Sequence, residues 1–128
     1  MLPQPEYDFG KMCITDNVLF VVLRSGVHLD FDVAQLILSE RILLQKGKRI
    51  PAVYDVNGIT ESNKAGRDEF CKTATILSSG LAFLTNGAVS YDISQLLARK
   101  ISLNIPCKVF DNSTDTNTFL NTVKHQKF

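Results

Sequence analysis

The stretch VYDVNGITESNKAGRDEF, Val53 to Phe70, decides the fold. An apolar run ends at Asn57-Gly58, polar residues follow, and apolar residues then return at helical spacing. Asn63 is a good N-cap with Phe70, Ala74 and Leu77 behind it, which predicts a helix from Lys64 to about Leu77, ended by Ser78-Ser79-Gly80. Just upstream, IPAVYDV is nearly continuous in apolar residues and carries a proline suited to the start of a strand. The stretch therefore reads as a strand feeding a helix. Its polar break is either a plain connection or a working site.

The same reading extends in both directions. YDFGKMCITDNVLFVVLRSG predicts two strands around the turn-prone Thr15-Asp16-Asn17, joined as a hairpin. Val18 to Leu23 is apolar without alternation, as expected of a strand covered on both faces. A helix follows, with Asp30 as N-cap, Asp32 in its first turn and Gly47 as terminator. Its predicted stripe is Phe31, Ala34, Leu38, Ile42 and Gln45, widened by Val33, Leu36, Ile37, Leu43 and Leu44, and the whole apolar face is expected to be largely buried. Beyond the opening stretch, LAFLT predicts a strand, Asn86-Gly87 a turn, and Asp92 to Ser102 a helix. CKVF is a strand whose Lys108 hints at a sheet edge, and Asp111 caps a last helix before the tail KHQKF frays. The order β-β-α-β-α-β-α-β-α predicts an α/β fold: an N-terminal hairpin, then alternating units in a mostly parallel sheet with helices on both faces. No repeat or linker divides the 128 residues, so one domain is expected.

Composition narrows the function classes. The balance of 14 Lys+Arg against 13 Asp+Glu gives no global field toward nucleic acid or an anionic membrane. The longest apolar run is far below the roughly 20 residues that span a bilayer, and MLPQPEYDFG lacks a charged head and an apolar signal core. A cytoplasmic protein is expected. Cys13, Cys71 and Cys107 are widely spaced, with no Cys-x-x-Cys or close Cys/His pair, and read as small buried thiols. His28 precedes a helix start and His125 lies in the tail, without partners that spacing would nominate. Neither phosphate-loop pattern is present, and Asp55 and Asp111 have no second acid or histidine beside them in sequence. A receiver-type phosphoacceptor site fails as well, because an early strand ends VVLRSG instead of supplying acids for magnesium. No enzyme activity, cofactor or metal is expected.

With that element order in place, LDFDVAQ leading into GKRIPAVYDVNGIT, then NKAGRDEF, LAFLTNGAVS and IPCKVFDNSTDTNTFL, resembles the STAS/SpoIIAA-like family of small α/β domains, best known as anti-sigma factor antagonists. It is most similar to an uncharacterised bacterial branch of that superfamily. In signalling members, the loop after the central strand carries Asp-Ser-Ser/Thr-Gly, and a hydroxyl there is phosphorylated to switch partner binding. The resemblance places Asn63, Lys64, Ala65 and Gly66 on that motif. Both hydroxyls are missing, so the resemblance implies a non-catalytic interaction or regulatory module without the usual phospho-switch. Ser62 and Thr60 read as turn or capping residues.

In open parallel sheets the ligand crevice lies beyond the carboxyl ends of the strands. The candidate interaction or anion-binding surface there comprises Asn57, Asn63, Lys64, Arg67, Asn86 and Tyr91. A helix start flanked by Lys64 and Arg67 suits an anion, and the competing reading is a capped helix with two solvated cations. Tyr91 is an interface anchor if exposed. The partner is a protein or a second copy of the chain. The alternative is a small-molecule or lipid-binding protein, related to the SEC14-like branch, with a crevice between its helices.

Overall fold

The structure, a computed structural model, describes residues 6–124, so the expectations for His125 and the fraying tail lie outside the described residues. A six-stranded sheet has the order β1-β2-β3-β5-β7-β8. Its strands are β1 (Glu6–Tyr7), β2 (Gly10–Thr15), β3 (Val18–Leu23), β5 (Ile50–Asp55), β7 (Ser78–Leu84) and β8 (Cys107–Phe110). β1, β2 and β3 are antiparallel, and β3, β5, β7 and β8 run parallel. The hairpin turn is Asp16-Asn17, both at positive φ (52° and 60°), the pair of conformations a type I′ turn needs to match strand twist. β4 (Val27–Leu29) and β6 (Ile59–Ser62) form a separate parallel pair. These two were not anticipated, because three and four residues are too few to show periodicity. Val27, Leu29 and Ile59 are nevertheless buried, which fixes the pair to the core.

The helices are α1 (Phe31–Gln45), α2 (Lys64–Ala74), α3 (Ala88–Ile101) and α4 (Ser113–Lys124). Alternation along each strand sorts the side chains onto two faces. Leu19, Val21, Ala52, Tyr54, Leu81 and Phe83 meet Ala34 and Ile37 of α1, Phe70 and Ala74 of α2, and Ile93, Leu97 and Ile101 of α3. On the opposite face Val18, Val53 and Ala82 meet Leu120 of α4, with Phe20, Phe110 and Phe119 at the margin. Helices thus lie on both faces, three against one. The single helix on the second face does not reach all of β3: Val22 is exposed, which corrects the expectation that the strand is covered on both sides.

Boundaries shift where local chemistry overrides pattern. α2 ends at Ala74; Leu77 turns the chain at φ 56°, and Ser78-Ser79-Gly80 opens β7 instead of merely stopping a helix. α3 starts at Ala88, four residues before Asp92, with Gly87 as an extended N-cap that has no side-chain bond, and the Ser90 hydroxyl donates back to the Gly87 carbonyl. Asn112, not Asp111, caps α4: its side-chain oxygen accepts from the Asp115 amide at 2.8 Å. Asp30 caps α1 as expected, accepting from Val33, and the helix closes with Lys46 and Gly47 both left-handed.

The largest revision is inside α1. Its buried line is Ala34, Ile37, Arg41 and Gln45, with Val33, Leu36 and Leu44 packed partly against the core, while Phe31 and Leu43 are exposed, so the broad apolar face is buried only in part and takes in a charged residue. Arg41 is only 1% exposed. Its guanidinium donates to the carbonyls of Thr73 (2.6 Å) and Ile76 (2.7 Å) and to the Gln45 side-chain oxygen (2.9 Å). Gln45 in turn donates to the carbonyls of Leu77 (2.9 Å) and Lys48 (3.0 Å). A cation beside the Thr73 carbonyl in the last turn of α2 and the Ile76 carbonyl just beyond it supplies both acceptors with a charged donor and opposes the negative end of the helix dipole. Burial pushes the Tyr54 hydroxyl pKa up, and the Arg41 charge draws it partly back.

Arg41→Met fills similar space and removes the guanidinium donor from the Thr73 and Ile76 carbonyls. It should lower unfolding free energy by about 3 kcal/mol, with Arg41→Lys less damaging, as measured by urea denaturation. A loss below about 0.5 kcal/mol, the range of ordinary surface substitutions, contradicts the assignment.

Candidate functional site

The carboxyl ends of β5, β7 and β8 lie side by side, so the polar residues that follow them converge. After β5, the Asp55 carboxylate accepts from the Asn57 amide and from the Asn57 side-chain nitrogen, both at 3.1 Å, holding the turn. The Asn57 side-chain oxygen then reaches across to β7's end, accepting from the Asn86 amide at 2.7 Å and the Thr85 hydroxyl at 3.3 Å. Thr85 and Ser90 share a short hydroxyl contact. With its amide nitrogen turned toward acceptors, Asn86 donates to the carbonyls of Asp111 (2.9 Å) and Thr85 (3.2 Å). Asn57 and Asn86 are therefore brought together as one knot across three strand ends. Asp55 and Asp111 serve local turns: Asp111 accepts from the Asn112 side chain at 2.8 Å.

α2 enters from the same end under tight constraint. The Asn63 side chain accepts from the Gly66 amide at 2.8 Å, and the Asn63 amide donates to the Leu29 carbonyl at 3.2 Å. A Cβ at Gly66 would lie 2.2 Å from that carbonyl oxygen, so only glycine lets α2 approach the start of α1 this closely. Gly58 is similarly enclosed, 2.3 Å from the Arg24 carbonyl oxygen by the same measure. The polar break in the opening stretch is thus a packed connection, with β6 and two close backbone approaches inside it.

Lys64 and Arg67 take part in a separate groove of about 220 Å3 between α2 and α3, lined also by Asp68, Cys71, Leu96 and Lys100. The Asp68 carboxylate bridges Lys64 (2.7 Å) and Lys100 (2.8 Å), while Arg67 donates to the Ser62 hydroxyl at 2.8 Å. The Lys100 and then Lys64 hydrogen bonds hold Asp68 down at about 2, and the same bond raises Lys100. Burial pushes the Cys71 thiol up and the Cys107 thiol to about 12, so neither favours its thiolate. Tyr91 is 48% exposed and accepts from the Gln95 side chain at 2.7 Å on the outer side of α3.

The expected surface is therefore divided. Asn57 and Asn86 form the strand-end knot, Asn63 caps α2, Lys64 and Arg67 line the cationic groove, and Tyr91 stands on α3. Sequence reasoning missed Asp68, Ser90 and Lys100. The Lys64/Asp68 pair was legible as an i,i+4 spacing, whereas Lys100 is brought to Asp68 only by helix packing. Among the described residues there is no cluster of three or more His, Cys, Asp or Glu fit to hold a metal ion, and no helix is long and apolar enough to cross a membrane.

Because the folded pKa of Asp68 lies below its ordinary 3.8, its stabilising contribution is present above that value and is lost as pH falls toward about 2. Carboxylate NMR should show Asp68 titrating near 2, and Lys100→Ala should move that midpoint upward toward 3.8. An unchanged midpoint in the variant contradicts the bridge. Gly66→Ala should cost about 2 kcal/mol in chemical denaturation, because backbone on both sides must separate.

No curated protein matches this chain. Among solved structures, an uncharacterized protein from the DUF3478 family with a SpoIIAA-like fold, from Shewanella loihica PV-4, is similar at a TM-score of 0.56 and 12% identity. The match covers 85% of this chain and 90% of that one, and it establishes the SpoIIAA-like fold for the mostly parallel sheet with its four helices. The family model described as Domain of unknown function (DUF7793) matches residues 12–124, and the chain belongs to that family.

Proposed function

We propose that the protein is a non-catalytic recognition module that binds a protein partner at the carboxyl end of its sheet. The observation that carries this reading is the pairing of a rigid polar base with an exposed mixed rim. The base is the Asn57–Thr85–Asn86 knot, whose side chains are committed to one another. The rim comprises Lys64, Arg67 and Lys100 around Asp68, with Val89, Tyr91 and Leu96 exposed on the neighbouring helix. Interfaces favour tyrosine and arginine beside apolar contacts, and three cations against one carboxylate suit a partner presenting acidic side chains. At the position where signalling STAS-like proteins are phosphorylated this chain has Ala65, so binding here is not switched through that hydroxyl.

A second reading, small-molecule binding, is favoured by a groove of about 420 Å3 between α4 and β8. Phe110, Phe119 and Val123 give it an apolar wall, with Lys108 and Asp115 at its polar margin. It lies under the lone helix of the second face, away from the α2–α3 layer.

Native mass spectrometry of the protein gently captured from its own cells separates the two. A protein partner retained by the wild type and lost from Lys64→Glu/Arg67→Glu is the expected result. A small retained mass, unchanged in that variant and lost on Phe119→Asp, overturns the first reading in favour of the second.

A further inference from the structure

The outer side of α3 carries apolar residues that nothing in the described chain covers. Val89, Leu96 and Leu103 are 54%, 47% and 82% exposed. Val89 and Leu96 lie two helical turns apart on α3, and Leu103, seven residues further on, stands in the turn just after the helix ends at Ile101. Asp92 and Arg99 stand on either side of Leu96, and with Tyr91 and Gln95 they line one shallow depression of about 510 Å3. Lys100, on the inner flank, is engaged with Asp68, but among the described residues Asp92 and Arg99 form no ion pair. An apolar line with an acid on one side of its midpoint and a base on the other is complementary to its own reverse.

We propose that this face binds a second copy of the chain, as an antiparallel α3–α3 pair with its two-fold axis at Leu96. Reversal about Leu96 sets Leu96 against its equivalent and brings Val89 toward the turn that carries Leu103 in the second copy. It also brings Asp92 one residue position from Arg99 of the second copy, an offset that the long arginine side chain spans. Each of these contacts occurs twice, because an isologous interface repeats every pair. A partner of one charge sign would leave either Asp92 or Arg99 facing its like, whereas a reversed copy matches both. The face is one helix wide, so the dimer is small by the standard of stable interfaces of about 1,600 Å2 and should form reversibly with concentration. The inference rests on the recognition reading in treating the α2–α3 layer as a binding layer; it shares Leu96 with the groove of Lys64 and Arg67 but uses neither of those cations.

Sedimentation of the purified full chain over a concentration series tests it, with circular dichroism confirming that each variant is folded. The wild type should show a reversible monomer–dimer equilibrium, and Leu96→Glu should remain monomeric. Arg99→Asp and Asp92→Arg should each weaken dimerisation by about tenfold, since attraction becomes repulsion twice per dimer, and the double swap should recover most of the loss. Lys64→Glu/Arg67→Glu should dimerise like the wild type. A wild type that is monomeric throughout, a dimer insensitive to Leu96→Glu, or single swaps without effect overturns the pairing. Any of these leaves the capture experiment free to succeed, so failure of the dimer and failure of the recognition reading are separable.

Discussion

The buried guanidinium of Arg41 sets the frame for the α2 side of the molecule. It and Gln45 turn the end of α2, an exposed-carbonyl problem in any helix, into the place where α1, α2 and the entry to β5 are joined. A charge in the core is tolerated because each named donor contact is to a carbonyl oxygen in good geometry, not because an opposing carboxylate neutralises it. The first turn of α2 is held as firmly by different means. Gly66 permits backbone contact at Leu29 and Asp30, and Asn63 closes the cap. Fixed at both ends, α2 has little freedom to slide, and the side chains on its outer surface inherit that rigidity.

That constraint explains the shape of the surface proposed for recognition. Lys64, Arg67 and Asp68 project from the clamped helix, and α3 brings Lys100 against Asp68 across the groove. On the sheet side, the hydrogen bonds that the Asn57 side chain accepts from Thr85 and Asn86 tie successive strand ends together. Polar groups committed to one another in this way shape and stiffen a surface, and in the proposed reading they leave contact with a partner to Lys64, Arg67, Lys100 and Tyr91. Recognition by a preorganised surface loses less conformational entropy on binding than recognition by a loop that must first be ordered.

The main sheet and its four helices were legible because β3, β5 and the second half of β7 carry apolar runs and Asp30 and Asn63 announce their helices. β4 and β6 were not, since strands this short have no period to detect and exist only because they pair with each other. Arg41 was also invisible: in sequence a cation among Ser39, Glu40 and Lys46 looks like part of a solvated face, and only the arrival of the Thr73 and Ile76 carbonyls gives it a reason to be buried. The site shows the same split between local and distant information. The capped start of α2 and the Lys64/Asp68 spacing could be read directly. The link from Asn57 to Asn86 and that from Asp68 to Lys100 span about thirty residues each and arise from packing alone.

If the clamped α2 is what presents this surface, loosening its far end should be felt along the helix. Amide hydrogen exchange of the wild type and Arg41→Met, followed by mass spectrometry under conditions where both are folded, measures this directly. Selective loss of protection across residues 64–77, with β3 and β5 still protected, is the predicted result. Protection across α2 equal to the wild type's would show that the buried guanidinium does not hold the helix and would contradict the account.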